Sequence, residues 1–212
     1  MKKALVIGGS SDIGKEVIKR LIKKKYYIYS SYFQNSKDLS QMKKSSNQID
    51  YLKLNFNSLI SIKKFILELK NKTDNLDLII LSANIRVKRK SFLKINSNTL
   101  KKILINNINS YIFLFQLLIK KIIKKKYCKI IHISSLTTKN GSWGLCEYSI
   151  SKAAVDKMLK CLKFEFKKLN VESVFIGPVK TKGYLYTNQI KKNKKTKFLD
   201  IIKISRKIIK II

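Results

Sequence analysis

Glycine placement constrains this chain more than any other feature. Its seven glycines are Gly8, Gly9, Gly14, Gly141, Gly144, Gly177 and Gly183, and the sole proline is Pro178. None of them falls between Gly14 and Gly141, although many turns must lie there. A chain that makes its ordinary turns with Asn, Ser and Lys keeps glycine where the backbone cannot carry a side chain. Three places are marked in this way.

The first is Val6-Ile7-Gly8-Gly9-Ser10-Ser11-Asp12-Ile13-Gly14, a strand running directly into a helix. Gly8 allows the tight turn and Gly14 the close packing of helix on strand. The free N–H groups of the helix start then face an anion above them, as a dinucleotide pyrophosphate would be. Asp12 occupies the place of a third glycine. It suits the helix dipole but must point away from a pyrophosphate.

Beyond this turn, short apolar runs alternate with longer mixed segments. Residues 4–7, 26–32, 51–54, 76–81, 129–133 and 171–176 read as strands, rich in Ile, Val and Tyr as buried parallel strands are. Residues 13–24, 59–70, 99–125 and 148–168 are long enough for helices, and 198–212 reads as an amphipathic one. Ile62, Phe65, Ile66 and Leu69 recur at helical spacing. The alternation predicts an α/β fold: one Rossmann-type, doubly wound parallel sheet with helices on both faces, a single domain over residues 1–212.

Composition bears on the partners. Lys and Arg number 47 against 12 Asp and Glu, a net charge of +35 that invites a nucleic-acid reading. However, Lys, Ile and Asn make up 92 of 212 residues, while Arg and Ala number 4 each. Codon-composition drift accounts for that bias, and duplex readers favour Arg. No specific nucleic-acid partner is expected. The 45% hydrophobic content excludes a disordered polycation. The uncharged stretch 103–119 carries Asn106, Asn107, Asn109, Ser110 and Gln116, which fits a core helix better than a membrane span. Cys128, Cys146 and Cys161 are odd in number and form no CxxC. Reduced thiols in a cytoplasmic protein follow, with no metal site and no membrane partner.

The second informative stretch is Ile130-Ile131-His132-Ile133-Ser134-Ser135, followed by Tyr148-Ser149-Ile150-Ser151-Lys152. On a helix Tyr148 and Lys152 lie one turn apart on one face. An ammonium beside a phenol favours the phenolate, which makes the phenol a usable proton donor or acceptor. Ser135, at the end of a parallel strand, lies where such sheets bind ligands. His132 reads as a structural strand position facing away from Ser135. Trp143 is open between substrate contact and surface packing, and Tyr26 and Tyr27 read as strand surface.

With these motifs together, the chain resembles the short-chain dehydrogenase/reductase family over nearly its whole length. Gly8 and Gly14 match two of the three glycines in the family's cofactor turn, and Asn55 matches the residue that touches the adenine. Leu76 to Asn84 resembles the strand ending in Asn-Asn-Ala-Gly, with Ala83 retained and Asn84 in place of glycine. Asn107, Ser135, Tyr148 and Lys152 match the four members of the catalytic tetrad. Ile176-Gly177-Pro178-Val179-Lys180-Thr181 resembles the segment that wraps the nicotinamide.

The resemblance implies hydride transfer between a nicotinamide and a carbonyl or alcohol. Tyr148 would act as general acid/base and Ser135 would bind the substrate oxygen. Lys152 would lower the phenol pKa and hold the ribose, while Asn107 would position a water. Cofactor-binding residues would be Gly8, Ser10, Ser11, Ile13, Gly14, Asn35, Asn55, Ala83, Tyr148, Lys152, Gly177, Pro178, Val179 and Thr181. No Asp or Glu occurs between Glu16 and Asp38. NADP(H) is therefore favoured, with NAD(H) open. Residues 1–135 would form mainly the cofactor half, and 136–212 the Tyr/Lys helix, a substrate lid and the C-terminal helix. The family's last strand is not expected.

The implied substrate is a small-molecule or acyl-carrier-bound carbonyl, with 3-oxoacyl thioesters resembling those of 3-oxoacyl-carrier-protein reductases. Oxidoreduction of a sugar, polyol or other metabolite is the alternative, and a non-catalytic Rossmann binding or regulatory protein is a third reading. A homodimer through the two long helices is open.

Overall fold

A computed structural model of the chain describes residues 1–34, 46–83, 87–123, 127–182, 184 and 197–212. Six strands are found among them: β1 (Lys3–Ile7), β2 (Tyr27–Tyr32), β3 (Ile49–Lys53), β4 (Leu78–Leu81), β5 (Cys128–Ser135) and β6 (Leu169–Ile176). They pair in the order β3-β2-β1-β4-β5-β6, every pair parallel. The chain moves outward from β1 to β3, then returns to place β4 on the other side of β1. That reversal opens a crevice at the carboxyl ends of β1 and β4.

Side-chain alternation divides each strand between two cores. On one face, Leu5, Ile7, Ile79, Leu81 and Ile130 pack under α2 (Leu59–Lys72), α3 (Ser97–Lys121) and α4 (Cys146–Glu165). On the other, Ala4, Val6, Ile80, Ile131 and Ile133 pack under α1 (Asp12–Lys23) and α5 (Ile201–Lys210). Both faces are covered, so the strands read as continuous apolar runs and not as alternating ones. The expected doubly wound architecture is the one observed.

Helix ends follow their caps. Ser11, Ser58, Asn96 and Asp200 each accept backbone N–H groups at the starts of α1, α2, α3 and α5. The Asn96 cap starts α3 before the expected residue 99. Its last turn closes at Lys121, where Ile122 and Ile123 N–H both reach Leu118 O and the two isoleucines enter the core. α4 begins at Cys146 and ends at Glu165, short of the expected residue 168, because Leu169 opens β6 beside Cys128.

α3 is long and apolar enough to cross a membrane, with a mean hydropathy of 1.3. Here it serves as a core helix, with Tyr111, Leu114, Phe115 and Leu118 buried against the sheet and α2. Tyr26 corrects the expectation of a surface position. It is 6% exposed and packs beneath α1, whereas Tyr27 is half-buried with its hydroxyl on Asp50.

α5 lies along α1. Arg20 Nε donates to Ser205 Oγ at 2.6 Å, and Lys24 and Lys129 reach the carbonyls of Ile209 and Ile211 at its C-terminal end.

Candidate active site

The turn from β1 into α1 builds one end of the site. Gly8 has φ +86°, and a Cβ there would stand 2.5 Å from Ala83 N, at the end of β4. At Gly14 a Cβ would stand 2.4 Å from Gly8 O, so the helix can close on the turn only without a side chain. Ser11 ties this geometry together. Its hydroxyl donates to Gly8 O, caps Gly14 N–H and lies 3.1 Å from Ser82 Oγ on the neighbouring strand end. The Asp12 carboxylate accepts Lys182 N–H at 2.7 Å, bound to the segment after β6.

A cleft of about 890 Å3 runs from this turn across the carboxyl ends of the strands. Gly8, Ser10, Ser11 and Ile13 line it at one end, with Asn55 and Ala83 beside them. Gly177, Pro178, Val179 and Thr181 line the far wall, below Asn107, Ser135 and Tyr148. Two expected residues do not line it: Gly14 lies under the turn, and Lys152 lies behind the wall at 4% exposure. Asn35 and Asn84 fall outside the described residues.

Among the described residues lining the cleft, Asp12 and Arg89 alone carry charge. The end of β2 contributes Ser31, Tyr32, Phe33 and Gln34. A glycine cradle, a helix N-terminus and a long cleft at the sheet reversal fit an extended dinucleotide.

Ser135 Oγ accepts from Thr137 N–H and Thr137 Oγ1, at 3.2 and 3.0 Å, leaving its own O–H to donate into the cleft. Asn107 sits in a π-helical segment of α3, Ile105–Asn109, the sort of widened turn that recurs at functional sites. Its Nδ2 donates to Ser151 Oγ at 3.3 Å, and that hydroxyl donates to Tyr148 O at 2.8 Å.

Tyr148 lies in the first turn of α4, which is pinned from outside. Lys90 Nζ pairs with buried Glu147 at 3.0 Å, Lys90 N–H reaches Gly144 O, and Arg89 reaches Trp143 O. Trp143 itself is 74% exposed and does not line the cleft.

Behind the wall lies a buried polar cluster whose roles the sequence reading missed. Lys152 Nζ donates to Ile133 O at 2.8 Å and lies 3.4 Å from His132 Nε2. His132 Nδ1 lies 2.7 Å from Asp156 Oδ1, and Asp156 also accepts from Ser134 and Ser173. Burial pushes Lys152 down to about 8, against the pull of Asp156. Burial and then the Lys152 ammonium push His132 down to about 4. Burial raises Asp156, but the hydrogen bonds and charge of His132, with the two serines, carry it below its ordinary value. His132 does face away from the cleft, as its strand position implies, yet it faces Lys152. The signal available was the four-residue spacing of Tyr148, Lys152 and Asp156 on one helix.

A family model described as short chain dehydrogenase matches residues 2–194. A 3-oxoacyl-[acyl-carrier-protein] reductase of Rickettsia prowazekii is 29% identical over 184 residues, covering 85% of this chain and 73% of the relative. The enzyme of the same name from Buchnera aphidicola is 27% identical over 212 residues, covering 96% and 82%. Among solved structures, a 3-ketoacyl-(acyl-carrier-protein) reductase from Brucella melitensis complexed with NADH superposes with a TM-score of 0.86 at 17% identity. The match covers 98% of this chain and 89% of that one, a likeness of fold.

Proposed function

Because the chain belongs to the short chain dehydrogenase family, we propose that it is an NADP(H)-dependent reductase of 3-oxoacyl thioesters. The observation that carries this reading is the meeting of Ser135, Asn107 and Tyr148 on one cleft whose other end is the Gly8 turn. The bound nicotinamide supplies the hydride.

The chain's own residues orient the carbonyl and handle its proton. Ser135 O–H donates to the substrate oxygen, where negative charge develops. Tyr148 delivers the phenolic proton to that oxygen, and recovers it in the reverse direction. The Lys152 ammonium, one helical turn on and buried behind the cleft wall, favours the phenolate through its charge. Asn107 positions the water that connects Lys152 to solvent.

NADP(H) is preferred because none of the described residues at the end of β2 is acidic. Ser31, Tyr32, Phe33 and Gln34 tolerate a 2′-phosphate, which a carboxylate there would repel. Relatives named for 3-oxoacyl reduction support the thioester substrate. Exposed Ile112 on α3 and Phe164 on α4 suit a homodimer through those helices.

The test is oxidation of NADPH and of NADH by the purified protein with an acetoacetyl thioester, a sugar ketone and a polyol series. Higher kcat/KM for NADPH with the thioester is expected. Preference for NADH, or for the sugar and polyol series, would replace the cofactor or substrate assignment.

A further inference from the structure

The cluster behind Lys152 is more than packing requires. Three ionisable side chains lie in line, Lys152, His132 and Asp156, at 4%, 1% and 7% exposure. Burying such groups is costly unless each is satisfied, and apolar residues would fill the same space more cheaply. Here each is satisfied by the next, and the line ends on the lysine of the proposed site.

The hydrogen bonds fix the imidazole's state. Asp156 is ionised and already accepts from Ser134 and Ser173, so His132 presents Nδ1–H to its Oδ1. Nε2 is then an acceptor, and it faces the Lys152 ammonium. A neutral ring thus bridges a buried cation and a buried anion. The groups facing Lys152 are His132 and Ile133 O from β5 and the Asp156 charge from its own helix, on which Tyr148 lies one turn earlier. Ser134 of β5 and Ser173 of β6 complete the shell of Asp156.

We propose that His132 and Asp156 are positioning residues for Lys152, a relayed ion pair that keeps its ammonium charged and fixed beneath the turn bearing Tyr148. This rests on the reductase reading above. Removing the bridge leaves the ammonium with Ile133 O alone among these acceptors and with only a through-space attraction to Asp156. Its charged form weakens, and the alkaline limit of turnover moves to lower pH.

His132 is the only histidine of the chain, so nitrogen NMR reads it without assignment. The Nδ1–H tautomer, still neutral at pH 5.5, is expected. An Nε2–H tautomer, or titration near the ordinary histidine value, overturns the proposal. In Lys152→Met the His132 pKa should rise by about one unit as the cation is lost, and an unchanged value counts against the contact.

In turnover, His132→Phe should lose about tenfold in kcat at pH 7 and lower the alkaline limb by about one pH unit. His132→Gln, which restores an acceptor, should recover most of both. Identical limbs in wild type, Phe and Gln variants overturn the proposal. Should His132→Phe fail to fold, Asp156→Asn takes its place with the same expected displacement. If the wild type reduces no carbonyl, the reductase reading fails, while the NMR result still decides the relay.

Discussion

Gly8 and His132 stand at opposite ends of what single residues reveal here. Glycine is so scarce that Gly8 was readable as a turn, and the positive φ and the contact with Ala83 give the reason. Gly8→Ala should cost on the order of 2–3 kcal/mol and abolish cofactor binding, measured by denaturant unfolding and NADPH fluorescence titration. His132 was readable only as a buried strand residue, since partners on another element leave no trace in local sequence. Its folded pKa of about 4 lies below the unfolded value, so the native state takes up its proton later than the unfolded chain. Stability contributed by the neutral ring is therefore complete above pH 6.5 and is lost as pH falls from there toward 4. From pH 7 to 5 the loss from this group should be about 2 kcal/mol, and His132→Asn should show a correspondingly flatter stability profile.

Among the elements, α3 and α4 carry most of the proposed chemistry, and they were predicted unevenly. Their existence follows from length and apolar content, but their ends depend on the Asn96 cap and on Leu169 entering β6. The π-helical segment at Ile105–Asn109 has no sequence signature of its own. It places Asn107 in the cleft while α3 stays packed on α2. Ser151, fully buried, joins the two helices by accepting from Asn107 and donating to Tyr148 O. Ser151→Ala should lower stability by about 1–2 kcal/mol and kcat by less than about tenfold, read from thermal unfolding and steady-state kinetics. A larger kinetic loss with unchanged stability would make Ser151 part of the chemistry.

On the scale of the whole molecule, the doubly wound parallel sheet was the most legible property. Alternating strands and helices joined by right-handed crossovers leave few topologies, and the observed one is the reversal that opens a cleft between β1 and β4. Net charge was the least informative property. The chain carries +35, yet the described lining of the cleft holds one acid and one arginine. Among the described residues most lysines lie outside the cleft lining, where their charge can steer acidic ligands but does not define the chemistry. What we propose defines it is the phenol of Tyr148 on α4 and the hydroxyl of Ser135 on β5, which line the same cleft. The most direct measurement is NADPH oxidation with an acetoacetyl thioester by the wild type and by Tyr148→Phe. The wild type should turn over, and the variant should bind NADPH with similar affinity while losing about 10²–10⁴-fold in kcat. A wild type that binds NADPH but reduces no carbonyl, or a Tyr148→Phe variant as fast as wild type, would contradict the account.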